Sequence, residues 1–298
     1  MRVLISGASG LLGSALTRAL QTAGHEPVAL VRRAPRAGEI QWDPNQALDP
    51  AKLADCDAVV HLAGKNIAGR WTEEFKREVL QSRVHSTQTL ATAAAESYRR
   101  SGHPRVFLCA SGAGYYGDRG DELLTEESPP GQGFLAEVCR QWEAATTAAS
   151  EAGVRVLNLR TGVVLARDGG ALKPMLLPFQ LGLGGRVGNG RQYWSWIALD
   201  DEIGAMLFIL QNDSLRGPVN AVGPAPVRNV DFVRALGKVL HRPTIFPLPE
   251  WVVKTVLGEM GEELLLTSAR VLPAKLTAAG YRFAHSELHH ALHSALHR

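Results

Sequence analysis

The chain has 298 residues, enough to bury a large core as one extended α/β domain or as a main domain with a smaller lobe. Its 32 Lys and Arg against 29 Asp and Glu leave a net charge of +3 with no basic cluster, which excludes nucleic acid as an expected partner. No apolar run is long enough to span a bilayer and no signal segment is expected before the first strand. Cys56, Cys109 and Cys139 lack both metal-ligand and disulfide spacing, so a reducing, cytoplasmic setting is expected.

In chain order, Val3 to Ile5 reads as a short buried strand. Gly7, Gly10 and Gly13 follow at spacings of three, ahead of an apolar helical stretch from Leu11 to Thr22. Gly24 ends that helix, Pro27 to Val31 is a second strand, and a looser segment holds Trp42, Asp43 and Pro44. Ala58 to Leu62 is a third clear strand ending at Ala63-Gly64, and Thr72 caps a long helix carrying Phe75, Val79 and Leu90. Val106 to Cys109 is the next strand, closed by Ala110-Ser111-Gly112. A helix is expected from Gly133 to Ser150, and then a strand from Val154 to Leu159 with Arg160 at its end. Strand-helix units of this length predict a doubly wound parallel sheet with right-handed crossovers.

The texture changes after Arg160. Glycines punctuate a loop-rich region with a helix near Leu172 to Leu181, and Trp194-Ser195-Trp196-Ile197 precedes a helix from Asp200 to Leu210. Pro218 to Val222 is expected to return a strand to the sheet, and Asn229 caps a helix through Leu240. The rest reads as short helices divided by prolines, ending in a His-rich helix. The expected division is a cofactor domain over 1–165 with 198–225 returning to it, and a mostly helical substrate-side lobe over 166–197 and 226–298.

The glycine turn directly after the first strand is a dinucleotide site. Glycine permits the tight turn and a close backbone approach to a pyrophosphate, and the helix N-terminus supplies N–H groups and positive potential. Ser9, Leu11 and Leu12 belong to the same turn and are expected at the cofactor with Gly7, Gly10 and Gly13. The end of the second strand bears on the choice of cofactor. Val31 is followed by Arg32 and Arg33, with no acid before Glu39. Guanidinium groups suit a 2'-phosphate, and the missing carboxylate removes a repulsion, so NADP is favoured over NAD, with Arg32 as the leading contact. Leu62, Ala63 and Gly64 are expected along the middle of the cofactor, with Glu78, Arg83 and Val163 completing its surroundings.

These residues resemble the extended short-chain dehydrogenase/reductase superfamily, and more narrowly its atypical "epimerase" subgroup with a C-terminal domain of unknown function. The marks are Gly-Ala-Ser-Gly-Leu-Leu-Gly from Gly7, His-Leu-Ala-Gly from His61, Ser-Arg-Val from Ser82 and Ser-Gly-Ala-Gly-Tyr-Tyr-Gly from Ser111. They continue in Leu-Arg-Thr-Gly-Val-Val-Leu from Leu159, the loop from Gly184 to Trp196, Arg242-Pro243-Thr244, Gly258-Glu259-Met260 and Arg270-Val271-Leu272-Pro273.

The resemblance implies hydride transfer with a Ser, a Tyr and a Lys four residues after the Tyr. Ser111 matches the first. Aligned through Glu143, the Tyr position is Leu135 and the Lys position is Cys139, and no Tyr-x-x-x-Lys occurs anywhere in the chain. Tyr115 or Tyr116 is then the available loop acid, against a reading in which both only pack. Arg160 is a candidate for an anionic substrate group or an ion pair, and Trp194 and Trp196 for the wall of a substrate pocket or a hinge. His289 and His293 lie one turn apart, but a solvated helix accounts for them without a metal.

Two functions follow. One is an NADP-dependent oxidoreductase or epimerase-like enzyme acting on a small carbonyl or hydroxyl compound, with a homodimer formed through long helices. The other is an NADP(H)-binding sensor or scaffold without turnover, motivated by the missing Tyr-Lys pair.

Overall fold

The computed structural model describes residues 1–297. Seven strands form one parallel sheet: β1 (Arg2–Ser6), β2 (Glu26–Val31), β3 (Glu39–Gln41), β4 (Ala58–His61), β5 (Val106–Gly112), β6 (Arg155–Thr161) and β7 (Gly217–Ala221). Their spatial order is β3-β2-β1-β4-β5-β6-β7, so the winding reverses between β1 and β4. In open α/β sheets a ligand binds outside the carboxyl ends of the strands at that reversal.

Strand periodicity sorts β1 between two layers. Val3 and Ile5 pack with Leu16 and Leu20 of α1 (Leu11–Thr22) and with Ile203 and Met206 of the helix Leu199–Gln211. Leu4 faces the other way, into a core with Leu90 and Ala94 of α2 (Glu73–Ser101) and Trp142 of α3 (Phe134–Ala144). Thr72 caps α2, its side chain accepting from Phe75 N.

Three elements depart from the sequence expectation. The loose segment after β2 contains the edge strand β3, held by the register of Ala29 to Val31 against Glu39 to Gln41. The helix expected from Gly133 to Ser150 breaks after Ala144, where Thr146 Oγ1 donates to the Glu143 carbonyl at 2.7 Å, and resumes over Thr147–Glu151. β6 runs on through Thr161, so Arg160 lies inside the strand and is 3% exposed. The strand expected near Pro218 does join the sheet, as β7 beside β6.

The smaller C-terminal region has its own core, in which Trp194, Trp196 and Phe232 meet Leu288 and Leu292 of the helix Leu288–Leu296. Two contacts fasten this region to the sheet domain near the strand ends. Glu263 accepts from Phe134 N at 2.6 Å and Leu135 N at 2.8 Å, capping α3, and Lys76 of α2 pairs with Glu259 at 3.0 Å.

Candidate cofactor cleft and the polar network beside it

The turn after β1 is built so closely that glycine is required. Gly7 has φ +75°, and a Cβ there would stand 2.9 Å from Ala63 N. A Cβ on Gly13 would stand 2.1 Å from the Gly7 carbonyl oxygen, so α1 could not keep its place against the turn. Gly10 offers no side-chain cap and no acid occupies the first turn of α1, leaving the helix end open to an anion.

A cavity of about 1240 Å³ surrounds this turn and the end of β2. Gly7, Ser9 and Gly10 after β1, Arg32 and Arg33 after β2, and Leu62, Ala63 and Gly64 after β4 all line it, together with Glu78 of α2. Leu11, Leu12, Gly13, Arg83 and Val163 are not on its wall. Leu11 packs towards Gly169 and Gly170, Leu12 packs against the sheet core, and Gly13 is buried under the turn. Val163 pairs in register with Trp196. Arg83 lies beneath Gly64, donates to the Val79 carbonyl at 3.1 Å and stacks 4.9 Å over the Trp142 ring; burial lowers its pKa.

The cavity also holds residues the sequence reading passed over. Lys65 and Asn66 continue the Ala63-Gly64 turn into it, and their position directly after that motif was the available signal. Lys65 pairs with Glu78. Glu39, which reaches the wall from β3, forms a bidentate pair with Arg33 at 2.7 and 2.6 Å. Arg32 is exposed and makes no hydrogen bond or ion pair among the described residues. Behind the cavity His61 is fully buried between Ser6 Oγ at 2.5 Å and Ser86 Oγ at 3.0 Å, and burial, reinforced by the Arg83 charge, lowers its pKa to about 3.

Beside this cleft, the ends of β5, β6 and β7 carry one connected polar network. Ser111 Oγ donates to Glu143 Oε1 at 2.8 Å. Arg160 grips the same carboxylate with Nε and Nη2, both at 2.8 Å, and donates through Nη1 to Tyr116 OH at 3.0 Å. Tyr116 OH in turn donates to Asn220 Oδ1 at 2.6 Å.

The contacts of three sets of candidate residues bear on the alternatives left open for them. Tyr116 is fully buried and its hydroxyl is used twice, and burial raises its pKa to about 12, which favours the packing alternative over the loop acid. Arg160 spends its charge on Glu143 and stacks 3.4 Å over the Tyr115 ring, which leaves no free guanidinium for a substrate anion. Trp194 and Trp196 pack in the C-terminal core, with Trp196 Nε1 donating to the Ala225 carbonyl. Tyr115 is half-buried, and its hydroxyl forms no hydrogen bond among the described residues.

At the two positions where the superfamily carries Tyr and Lys, Leu135 packs against Gly114 and Cys139 Sγ donates to the Gly112 carbonyl at 3.6 Å. Burial raises the Cys139 pKa to about 11, so the thiol is a small inert core group. Among the described residues no group of three or more His, Cys, Asp or Glu is disposed to hold a metal, and no helix is long and apolar enough to cross a membrane.

A parallel sheet with a glycine turn and an open cleft at its reversal point defines the Rossmann class of nucleotide-binding proteins. The chain belongs to the NAD dependent epimerase/dehydratase family, whose model matches residues 3–222. Residues 248–295 match a domain of unknown function, DUF1731. An epimerase family protein of Mycobacterium leprae is 44% identical over 293 residues, covering 97% of this chain and 94% of that protein. Human epimerase family protein SDR39U1, whose crystal structure with NADPH is solved, superposes with a TM-score of 0.90 at 37% identity, over 100% of this chain and 99% of that one. A nucleoside-diphosphate sugar epimerase of Corynebacterium glutamicum gives a TM-score of 0.82 at 39% identity, over 99% of this chain and 58% of that one.

Proposed function

We propose that the protein is an NADP-dependent oxidoreductase or epimerase-like enzyme acting on a small carbonyl or hydroxyl compound. The observation that carries the cofactor reading is Arg32, which makes no hydrogen bond or ion pair among the described residues, on the wall of the same cavity as the glycine turn. The cradle fits a dinucleotide: Gly7, Ser9, Gly10 and the open end of α1 would hold the pyrophosphate, and Arg32 the 2'-phosphate. The NADPH bound by human SDR39U1 supports the same choice. In this reading residues 1–165 and 198–225 carry the cofactor, and 166–197 and 226–298 cover the substrate.

A bound nicotinamide supplies or takes up hydride; the residues of the chain provide orientation and proton handling. Ser111 is the positioning group. A serine hydroxyl has one proton, and this one is committed to Glu143, so towards a ligand Ser111 can only accept. That polarity fits a substrate hydroxyl better than a bare carbonyl oxygen. Tyr115 or water then handles the substrate proton, since Leu135 and Cys139 offer no Tyr-Lys pair. The absence of that pair also favours the second reading, an NADP(H) sensor without turnover.

The three cysteines are free and buried, which supports a reducing, cytoplasmic setting. Exposed Leu177, Leu181, Leu183, Ile245 and Phe246 support a homodimer.

The deciding experiment incubates the protein with NADPH or NADP and a panel of small ketones, aldehydes and alcohols, following nicotinamide absorbance. Conversion that is slowed by Ser111→Ala supports the enzyme. Tight NADPH binding with no conversion across the panel favours the sensor.

A further inference from the structure

The wall that would face the 2'-phosphate carries a carboxylate as well as two guanidinium groups. Glu39 stands opposite Ala29 in the register of β3 on β2, so its side chain reaches the same stretch of wall as Arg32 and Arg33. It accepts from Arg33 Nη1 at 2.7 Å and Nη2 at 2.6 Å, and from the Arg36 backbone N–H at 2.7 Å. These bonds keep the carboxyl ionised, with its pKa below the ordinary value. Arg33 is therefore already paired, whereas Arg32 makes no hydrogen bond or ion pair among the described residues.

We propose that Glu39 is a specificity-determining residue that competes with the 2'-phosphate for Arg33, weakening the hold on NADP(H) and leaving NAD(H) a usable ligand of the same site. The inference rests on the cofactor reading above. A 2'-phosphate arriving beside Arg32 meets a guanidinium whose bidentate face is turned to a carboxylate. To gain that guanidinium it must displace Glu39, and without displacement it lies near a like charge. NAD(H) has no phosphate there and avoids both costs.

The test is titration of the full chain with NADPH and with NADH, read by quenching of tryptophan fluorescence, for wild type, Glu39→Gln, Arg33→Ala and the double variant. Glu39→Gln is expected to tighten NADPH about two- to fivefold, the scale of exposed charge pairs, and to leave NADH within about twofold. Arg33→Ala is expected to weaken NADPH more in the Glu39→Gln background than in the wild-type background, because only in the former is the Arg33 guanidinium free for the 2'-phosphate. Unchanged or weaker NADPH binding by Glu39→Gln, with the thermal midpoint retained, overturns the inference while leaving the cofactor reading standing. A fall in midpoint with no gain in NADPH affinity assigns Glu39 to folding of the 33–41 turn and also overturns it. A wild-type chain that binds neither nucleotide removes the cofactor reading and this inference together.

Discussion

Ser111, at the end of β5, donates a hydrogen bond to Glu143 Oε1 on α3 at 2.8 Å, and Arg160 holds that carboxylate from β6 with two further bonds of 2.8 Å. Arg160 is 3% exposed, so the pair is buried as well as connected. Removing the carboxylate would leave a guanidinium without its counter-ion. Glu143→Ala is therefore expected to destabilise the fold by about 3–5 kcal/mol, measured by urea denaturation. Ser111→Ala, which removes one hydrogen bond to a charged acceptor, should cost only about 1.5–3 kcal/mol. Equal, small effects of the two substitutions would show that the network does not hold the strand ends.

The glycine turn gives a steric prediction. A Cβ at position 13 falls 2.1 Å from the Gly7 carbonyl oxygen, with backbone atoms on both sides of the clash. Gly13→Ala should lower the thermal midpoint and weaken NADPH binding by an order of magnitude or more, because α1 must move away from the turn. Retained affinity with an unchanged midpoint would contradict this account of the turn.

Two buried groups shape the pH dependence of stability. His61 has a folded pKa of about 3 against 6.5, so the unfolded state binds the extra proton between those values. Its contribution is present above pH 6.5 and is lost as pH falls from 6.5 towards 3. Glu202 has a folded pKa of about 8 against 4.5, raised by burial, with Thr161 donating to it at 2.8 Å and no other donor among the described residues. Its folded form keeps the proton, so its contribution is present below 4.5 and is lost as pH rises through 8. The two slopes oppose one another between 4.5 and 6.5, where stability should be flattest. Thermal midpoints measured across pH should show Glu202→Gln removing the decline between 6.5 and 8 and sparing the acid limb. An unaltered alkaline limb in that variant would exclude Glu202 as its source.

Trp196 separates a wall of a substrate pocket from a core residue. It is fully buried and its indole nitrogen reaches the Ala225 carbonyl at 2.9 Å. Trp196→Ala should cost about 3–5 kcal/mol in unfolding free energy, with NADPH affinity unchanged wherever the variant remains folded. A stable variant with altered ligand binding would restore the pocket reading.

Local pattern carried the part of the fold that depends on neighbours in sequence. Val3 to Ile5, the glycine spacing and the periodicity of Leu11 to Thr22 share one strand-turn-helix unit, so strand, turn and cofactor end were legible together. The strand β3 was not, because three residues without apolar alternation become a strand only by pairing with β2. The same non-local pairing brings Glu39 to Arg33. Glu143 was used as an alignment mark, yet its bond to Ser111 spans 32 positions and a helix-to-strand packing that periodicity does not encode. For Tyr116, Arg160, Trp194 and Trp196, residue type alone leaves functional and structural roles both open. Their side-chain partners come from β7, α3 and the C-terminal core, which only the folded chain assembles.

The most direct measurement is calorimetric titration of wild type and Arg32→Ala with NADPH and NADH. Arg32 makes no hydrogen bond or ion pair among the described residues, so its removal should leave the thermal midpoint within about a degree or two, as for a neutral surface change. The account predicts saturable binding of one NADPH per chain, tighter than NADH, with Arg32→Ala weakening NADPH roughly tenfold and NADH little. Absence of NADPH binding, or equal losses for both nucleotides in the variant, would contradict it.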